Sequence, residues 1–262
     1  MKKLLAILLS MLMLAGVFGV GASAAPTNAQ EEFAALYGRV VDEILGENPW
    51  LFYFQDVDFL AELLAIPSAT REGVNWQALL RDYDPYRLME EFMNELYEEG
   101  LFAFENNEAT LAAAIADSRA EAAIRRLYTG FIDIYRAFAF AVEDALVPEA
   151  AAFLNAVSRV HNRGDLFDGL DQGAVDALAA QVVGNADLDA MFAAGQWAEL
   201  AAIYTALAEG LEALVVAAGG TVPAFPGIFP PRALPSSPPW HETLPAFVQW
   251  IFRWIFFGWL WM

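Results

Sequence analysis

The chain has 262 residues, 58% of them hydrophobic, and its thirty-four acidic side chains against fourteen basic ones give a formal charge of −20. That acidity excludes a nucleic-acid partner, whose phosphates need a basic face, and it excludes attraction to anionic lipid headgroups, so any membrane attachment must come from apolar burial. With no cysteine, a disulfide framework and lipidation through a thiol are closed as well, and the chain must rest on its own core.

Lys2 and Lys3 precede an apolar run over residues 4–20, and Ala22-Ser23-Ala24 sets small residues where a signal peptidase inspects the chain. Residues 1–24 therefore read as a secretion signal, with Ala22 and Ala24 as the recognised small residues and Ala25 as the first residue after the cut. Both lysines lie inside it, which leaves twelve arginines against thirty-four acids in the remainder. Residues 25–220 are acidic and alanine-rich, and they are long enough for one sizeable helical domain, or two small ones, with a substantial core.

Residues 30–45 place Phe33, Leu36, Tyr37, Val40, Val41 and Ile44 at spacings of three and four, one stripe on a helix that Asn48-Pro49 ends. The aromatic run over 50–54 is dense enough to be buried. Asp56 is placed to cap a helix over 57–66, which Pro67-Ser68 closes, and Asn75 to cap another over 76–81. Asp84-Pro85 is the clearest start signal, a capping side chain followed by a proline whose missing N–H costs nothing in the first turn. The helix over 85–98 turns Leu88, Met89, Phe92 and Leu96 inward and Glu90, Glu91, Asn94, Glu95 and Glu98 outward, and Gly100 ends it.

Asn107 opens a long segment over 108–146 in which Leu111, Ile115, Ile124, Leu127, Tyr128, Phe131, Ile134, Tyr135, Phe138 and Val142 sustain a helical period, with a bend expected near Gly130. Pro148 starts a helix through 160 that Asn162-Arg163-Gly164 breaks. Residues 171–183 and 196–217 supply two more, separated by Gly184-Asn185 and a short helical turn. No stretch alternates with period two. The fold class is all-α: a multi-helix bundle, a proline-rich linker and an apolar C-terminal helix.

Eight of the thirteen prolines fall between residues 223 and 245, so residues 221–243 read as an extended, polyproline-like linker. A proline-motif ligand for another domain is the competing role, and against it the stretch 226–230 is apolar and can simply pack on the bundle. The tail over 244–262 holds four of the eight tryptophans, and its polar side chains are Gln249 and Arg253. As a helix, residues 246–262 span about 26 Å against a bilayer core of about 30 Å. The apolar side chains contribute roughly −4 kcal/mol to insertion while a central arginine costs about 2.5 to 3.5, a near balance.

In one reading the tail lies in the membrane interface, with Trp250, Trp254, Phe257, Trp259 and Trp261 at headgroup level. In another, several copies associate as a homo-oligomer, and Gln249 and Arg253, four apart on one helical face, turn toward one another or a partner's carboxylates. In a third the tail packs on its own domain as a last helix. Its expected partner is a membrane or a membrane protein, while the acidic domain is left for an extracellular protein or ligand.

Leu234-Pro235-Ser236-Ser237-Pro238 resembles the LPxTG sorting signal of Gram-positive surface proteins, but the glycine and the basic end are missing, and with them the case for covalent wall attachment. The layout of signal, acidic body, proline spacer and a Phe-Phe-Gly-Trp-Leu-Trp-Met ending resembles exported and surface proteins of Gram-positive gut bacteria. That resemblance implies an extracytoplasmic, secreted or membrane-associated location and no activity.

Chemical motifs are sparse. His161 and His241 stand outside any Glu-x-x-His arrangement, so zinc or di-iron bundle chemistry is not expected, and His161 reads as a helix C-terminal residue favoured by the dipole. Residues 168–173 carry Leu170 and Gln172 where calcium ligands belong, which leaves a cap and a turn. The row Glu91, Glu95, Glu98 and the pairs Asp56/Asp58 and Asp187/Asp189 read as solvated faces and caps. Trp76-x-x-Leu79-Leu80-x-x-Tyr83 and Trp197-x-x-Leu200-Ala201-x-x-Tyr204 echo a tetratricopeptide helix, yet they lie 121 residues apart, off the repeat's 34-residue period, and read as ordinary core stripes.

No cofactor, metal or catalytic residue is implied. The expected function is a non-catalytic exported helical protein acting in interaction, adhesion or envelope structure. Its competitors are a secreted hydrolase using buried carboxylates and a membrane-active oligomer formed through the tail.

Overall fold

The computed structural model describes residues 28–54 and 57–232. Among them the fold is all-α, with no strand and one isolated antiparallel bridge between Thr70 and Leu146. The helices are α1 (Asn28–Glu47), α2 (Val57–Leu64), α3 (Trp76–Asp82), α4 (Pro85–Glu98), α5 (Glu108–Ala116) and α6 (Arg119–Ala145). They continue with α7 (Pro148–His161), α8 (Gly164–Phe167), α9 (Gln172–Val183), α10 (Leu188–Ala193) and α11 (Trp197–Ala217), and 3₁₀ turns occupy Pro49–Tyr53 and Ala103–Asn106.

Short polar side chains set the helix starts. The Asp84 carboxylate accepts from the backbone N–H of Tyr86 at 3.0 Å, Asn75 from Ala78 at 3.0 Å and Asn107 from Thr110 at 2.9 Å. Asp171 and Asp187 do the same for Ala174 and Ala190. Each satisfies an amide that has no partner inside its own helix, worth about 1 kcal/mol. The cap expected from Asp56 lies outside the described residues.

The segment expected as one helix over 108–146 is two. It breaks at Ser118, whose φ of 64° is left-handed, and α6 then runs unbroken through Gly130. At Gly130 the ring of Phe92 on α4 comes so close that an added Cβ would stand 2.3 Å from it. The glycine therefore marks a seat for α4 on α6, where the sequence pattern reads as a bend.

α6 is the central element, about 40 Å long, with Ile124, Phe131, Phe138, Ala139 and Val142 among its buried residues. Its core neighbours are Val40 and Ile44 of α1, Trp50 and Phe54 of the first 3₁₀ turn, Leu60, Leu63 and Leu64 of α2, and Leu154 of α7. The aromatic run over 50–54 is buried at Trp50, Leu51 and Phe54, while Phe52 stays exposed. The loop between α2 and α3 is clamped across the α6–α7 junction by two backbone bonds of 2.8 Å, Arg71 N–H to Ala145 and Val147 N–H to Ala69.

α11 is the one helix among the described residues long and apolar enough, by length and composition, to cross a membrane. Here it lies along α7 and buries Trp197, Leu200, Ala208, Leu211 and Val215. Ion pairing reinforces that contact: Arg159 grips Glu212 through two bonds of 2.8 and 2.6 Å, and Arg163 donates to the same carboxylate at 2.7 Å.

Residues 221–230 carry neither helix nor strand, as their prolines dictate. They lie on the bundle as a strap. Arg163 donates to the Pro223 carbonyl at 2.6 Å, the Phe225 ring meets Tyr53 edge-on at 5.1 Å, and Asn155 Oδ1 accepts from the Ile228 N–H at 3.0 Å. The Ile228 side chain is fully buried. Of the linker expected over 221–243, this first part is packed and not a spacer.

Candidate functional site

Helical spacing builds one wall of a cavity on α7, where Phe153, Val157 and His161 recur every four residues along one face. α10 adds Leu188, Asp189 and Phe192, α11 adds Leu200 and Tyr204, and α2 adds Phe59, lining a half-open hollow of about 320 Å³. Phe153, Val157 and Leu200 are buried at its floor, while His161 and Asp189 are exposed at its edge.

Phe153 meets Tyr204 edge-on at 5.7 Å and 77°, and Phe192 meets Trp197 edge-on at 5.2 Å and 90°, while Phe153 lies tilted against Phe192 at 6.0 Å and 58° and against Trp197 at 5.7 Å and 38°. The edge-to-face pairs suit the ring quadrupoles and help fix the wall's shape. His161 packs against Tyr204 at 6.0 Å. Burial holds the Tyr204 hydroxyl above its ordinary pKa of 10.0, and the Asp189 carboxylate beside it adds to that.

The short helix α10 is held in place by a glycine turn. Gly195, at φ +68°, ends it, with the Gln196 N–H bonded to the Met191 carbonyl and the Gly195 N–H to that of Phe192, both at 3.0 Å. Ser68 packs against Gly195 so closely that an added Cβ would stand 2.0 Å from the serine hydroxyl.

Compared with models of protein families, with curated proteins and with solved structures, the chain shows no significant match.

The sequence places the expected site residues elsewhere. Ala22, Ala24 and Ala25 of the signal, and Gln249, Trp250, Arg253, Trp254, Phe257, Trp259 and Trp261 of the tail, lie outside the described residues. Of the pair Asp187/Asp189, Asp187 caps α10 and Asp189 turns to the cavity. His161 is indeed the last residue of α7, and it also lines the cavity. The stripe Trp197, Leu200, Tyr204 is core, and its last two members complete the cavity wall.

Other carboxylates serve the frame. Glu91 pairs with Arg87 at 2.7 Å, and Arg125 bridges Glu43 of α1 to Glu121 of α6. Burial holds the Asp133 carboxyl above the usual range although Arg136 stands 2.6 Å away, and that arginine also donates to Asn48 at 2.9 Å. The Glu95 carboxyl is likewise raised, by burial and then by Glu99. Among the described residues, no three acidic or histidine side chains gather into a set that would hold a metal ion.

Proposed function

We propose that the protein is exported and held at a membrane surface by its aromatic tail, and that the helical body serves as a non-catalytic binding module outside the cell. The observation that carries the binding role is the cavity wall, four phenylalanine and tyrosine rings with one carboxylate at the edge. A carboxylate-pair hydrolase needs two carboxyl groups about 5–10 Å apart across a cleft, and the described wall holds Asp189 alone. A hollow that sets aromatic and aliphatic side chains beside a few polar groups is the usual build of a small-ligand site.

The location half of the reading rests on composition. Lys2 and Lys3, the apolar run and Ala22-Ser23-Ala24 fit a signal, and the tryptophans of residues 244–262 fit an interfacial anchor. The test is flotation with liposomes of the chain with and without residues 235–262. The intact chain is expected to float and the shortened chain to stay at the bottom; equal partitioning overturns surface attachment. Dye leakage that disappears in Arg253→Leu points instead to a membrane-active oligomer.

A further inference from the structure

We infer that the cavity between α2, α7, α10 and α11 binds an alkylated ammonium cation, a quaternary ammonium group on a short arm, caged by Phe59, Phe153, Phe192 and Tyr204 with Asp189 as its counter-charge. This rests on the reading of the body as a binding module and names the class of ligand.

The faces of aromatic rings are electronegative and attract cations, more strongly where water is excluded. The carboxylate of Asp189 at the edge and the formal charge of −20 on the chain draw the same sign of ligand. A primary ammonium needs an acceptor for each of its three N–H donors. Asp189, His161 and the Tyr204 hydroxyl carry the acceptors of the lining side chains, while Phe59, Phe153, Val157, Leu188, Phe192 and Leu200 offer none, so an ammonium seated among the rings leaves donors unpaired. A quaternary ammonium has no N–H and is weakly hydrated, so an apolar wall receives it without an unpaired donor. An anion meets the Asp189 carboxylate as repulsion. The volume of about 320 Å³ sits at the small end of ligand pockets, with room for a trimethylammonium group and its arm.

The test is ligand-observed NMR on the full chain with choline, beside its neutral isostere 3,3-dimethylbutan-1-ol, in which carbon replaces the ammonium nitrogen, and beside ethanolamine. Choline is expected to bind saturably and about tenfold tighter than either. Asp189→Asn, at an exposed position, and Tyr204→Leu are each expected to weaken choline about tenfold. Glycerophosphocholine forms a second arm: choline binding alone assigns a free cation, binding of both a phosphocholine headgroup, and either upholds the cage. Equal binding of choline and the neutral isostere overturns it, as does the absence of choline binding by folded protein. Flotation is read separately, so a failed cage and a failed anchor are told apart.

Discussion

Arg163 and Glu212 form an ion pair of 2.7 Å in which the arginine side chain is 3% exposed and the glutamate 17%. The same guanidinium holds the Pro223 carbonyl and lies 5.9 Å from the centre of the Phe225 ring. Removing the carboxylate's charge leaves Arg163 buried and without its counter-ion, while Arg159 turns to water. Glu212→Gln is expected to cost about 3 to 5 kcal/mol, read as a lower midpoint in urea unfolding with an unchanged slope.

The same pair predicts how stability follows pH. Hydrogen bonds from Arg159, and then the charges of Arg159 and Arg163, hold the Glu212 carboxyl below its ordinary value of 4.5. Its folded pKa is depressed, so its contribution is fully present above 4.5 and is lost as pH falls through the lower folded value. The stability difference between the wild type and Glu212→Gln is therefore expected to be constant near neutral pH and to shrink as acid is added below 4.5. A gap that stays constant down to pH about 2 contradicts the assignment.

The strap over residues 221–230 is held by two adjacent features, the Asn155 acceptor and the buried Ile228 side chain. Asn155→Ala strands the Ile228 N–H and is expected to cost about 1 to 3 kcal/mol. Ile228→Ala opens a cavity and is expected to cost about 2 to 5 kcal/mol. Both act on one seat, so the double variant is expected to lose less than the sum of the singles. Denaturant unfolding of the four proteins checks this, with strict additivity as the contrary result.

Gly195→Ala combines a left-handed backbone with the approach of Ser68, and is expected to cost about 2 to 4 kcal/mol. Adding Ser68→Gly relieves the collision and recovers part of that loss, leaving the backbone share. Since the turn positions α10, the same single variant is expected to disturb Asp189 and Phe192, seen as changed aromatic shifts around the cavity.

The helix starts are legible in the sequence because a cap is a local device: Asn75, Asp84, Asn107, Asp171 and Asp187 each act on an amide two or three residues ahead. The break at Ser118 is not announced by glycine or proline, since Arg119, Ala120 and Glu121 are good helix formers. A subtler signal is present. Ile115 and Ile124 lie nine residues apart, about two and a half turns, so one straight helix puts them on opposite faces. The cavity is illegible for a different reason: Phe59, His161, Asp189 and Tyr204 are brought together from four helices by packing, and no spacing in the chain records that meeting.

The strap also decides where a pull would be felt. Tension arriving along the chain from residue 231 outward reaches Ile228 and its bond to Asn155 before it reaches any helix. Past that point it meets Phe225 against Tyr53, and then the Pro223 carbonyl on Arg163. The load is thus taken up in successive small catches and spread over α7, the first 3₁₀ turn and the junction before α8, so a tug strong enough to peel the strap leaves α11 and the aromatic hollow wound until the last catch gives.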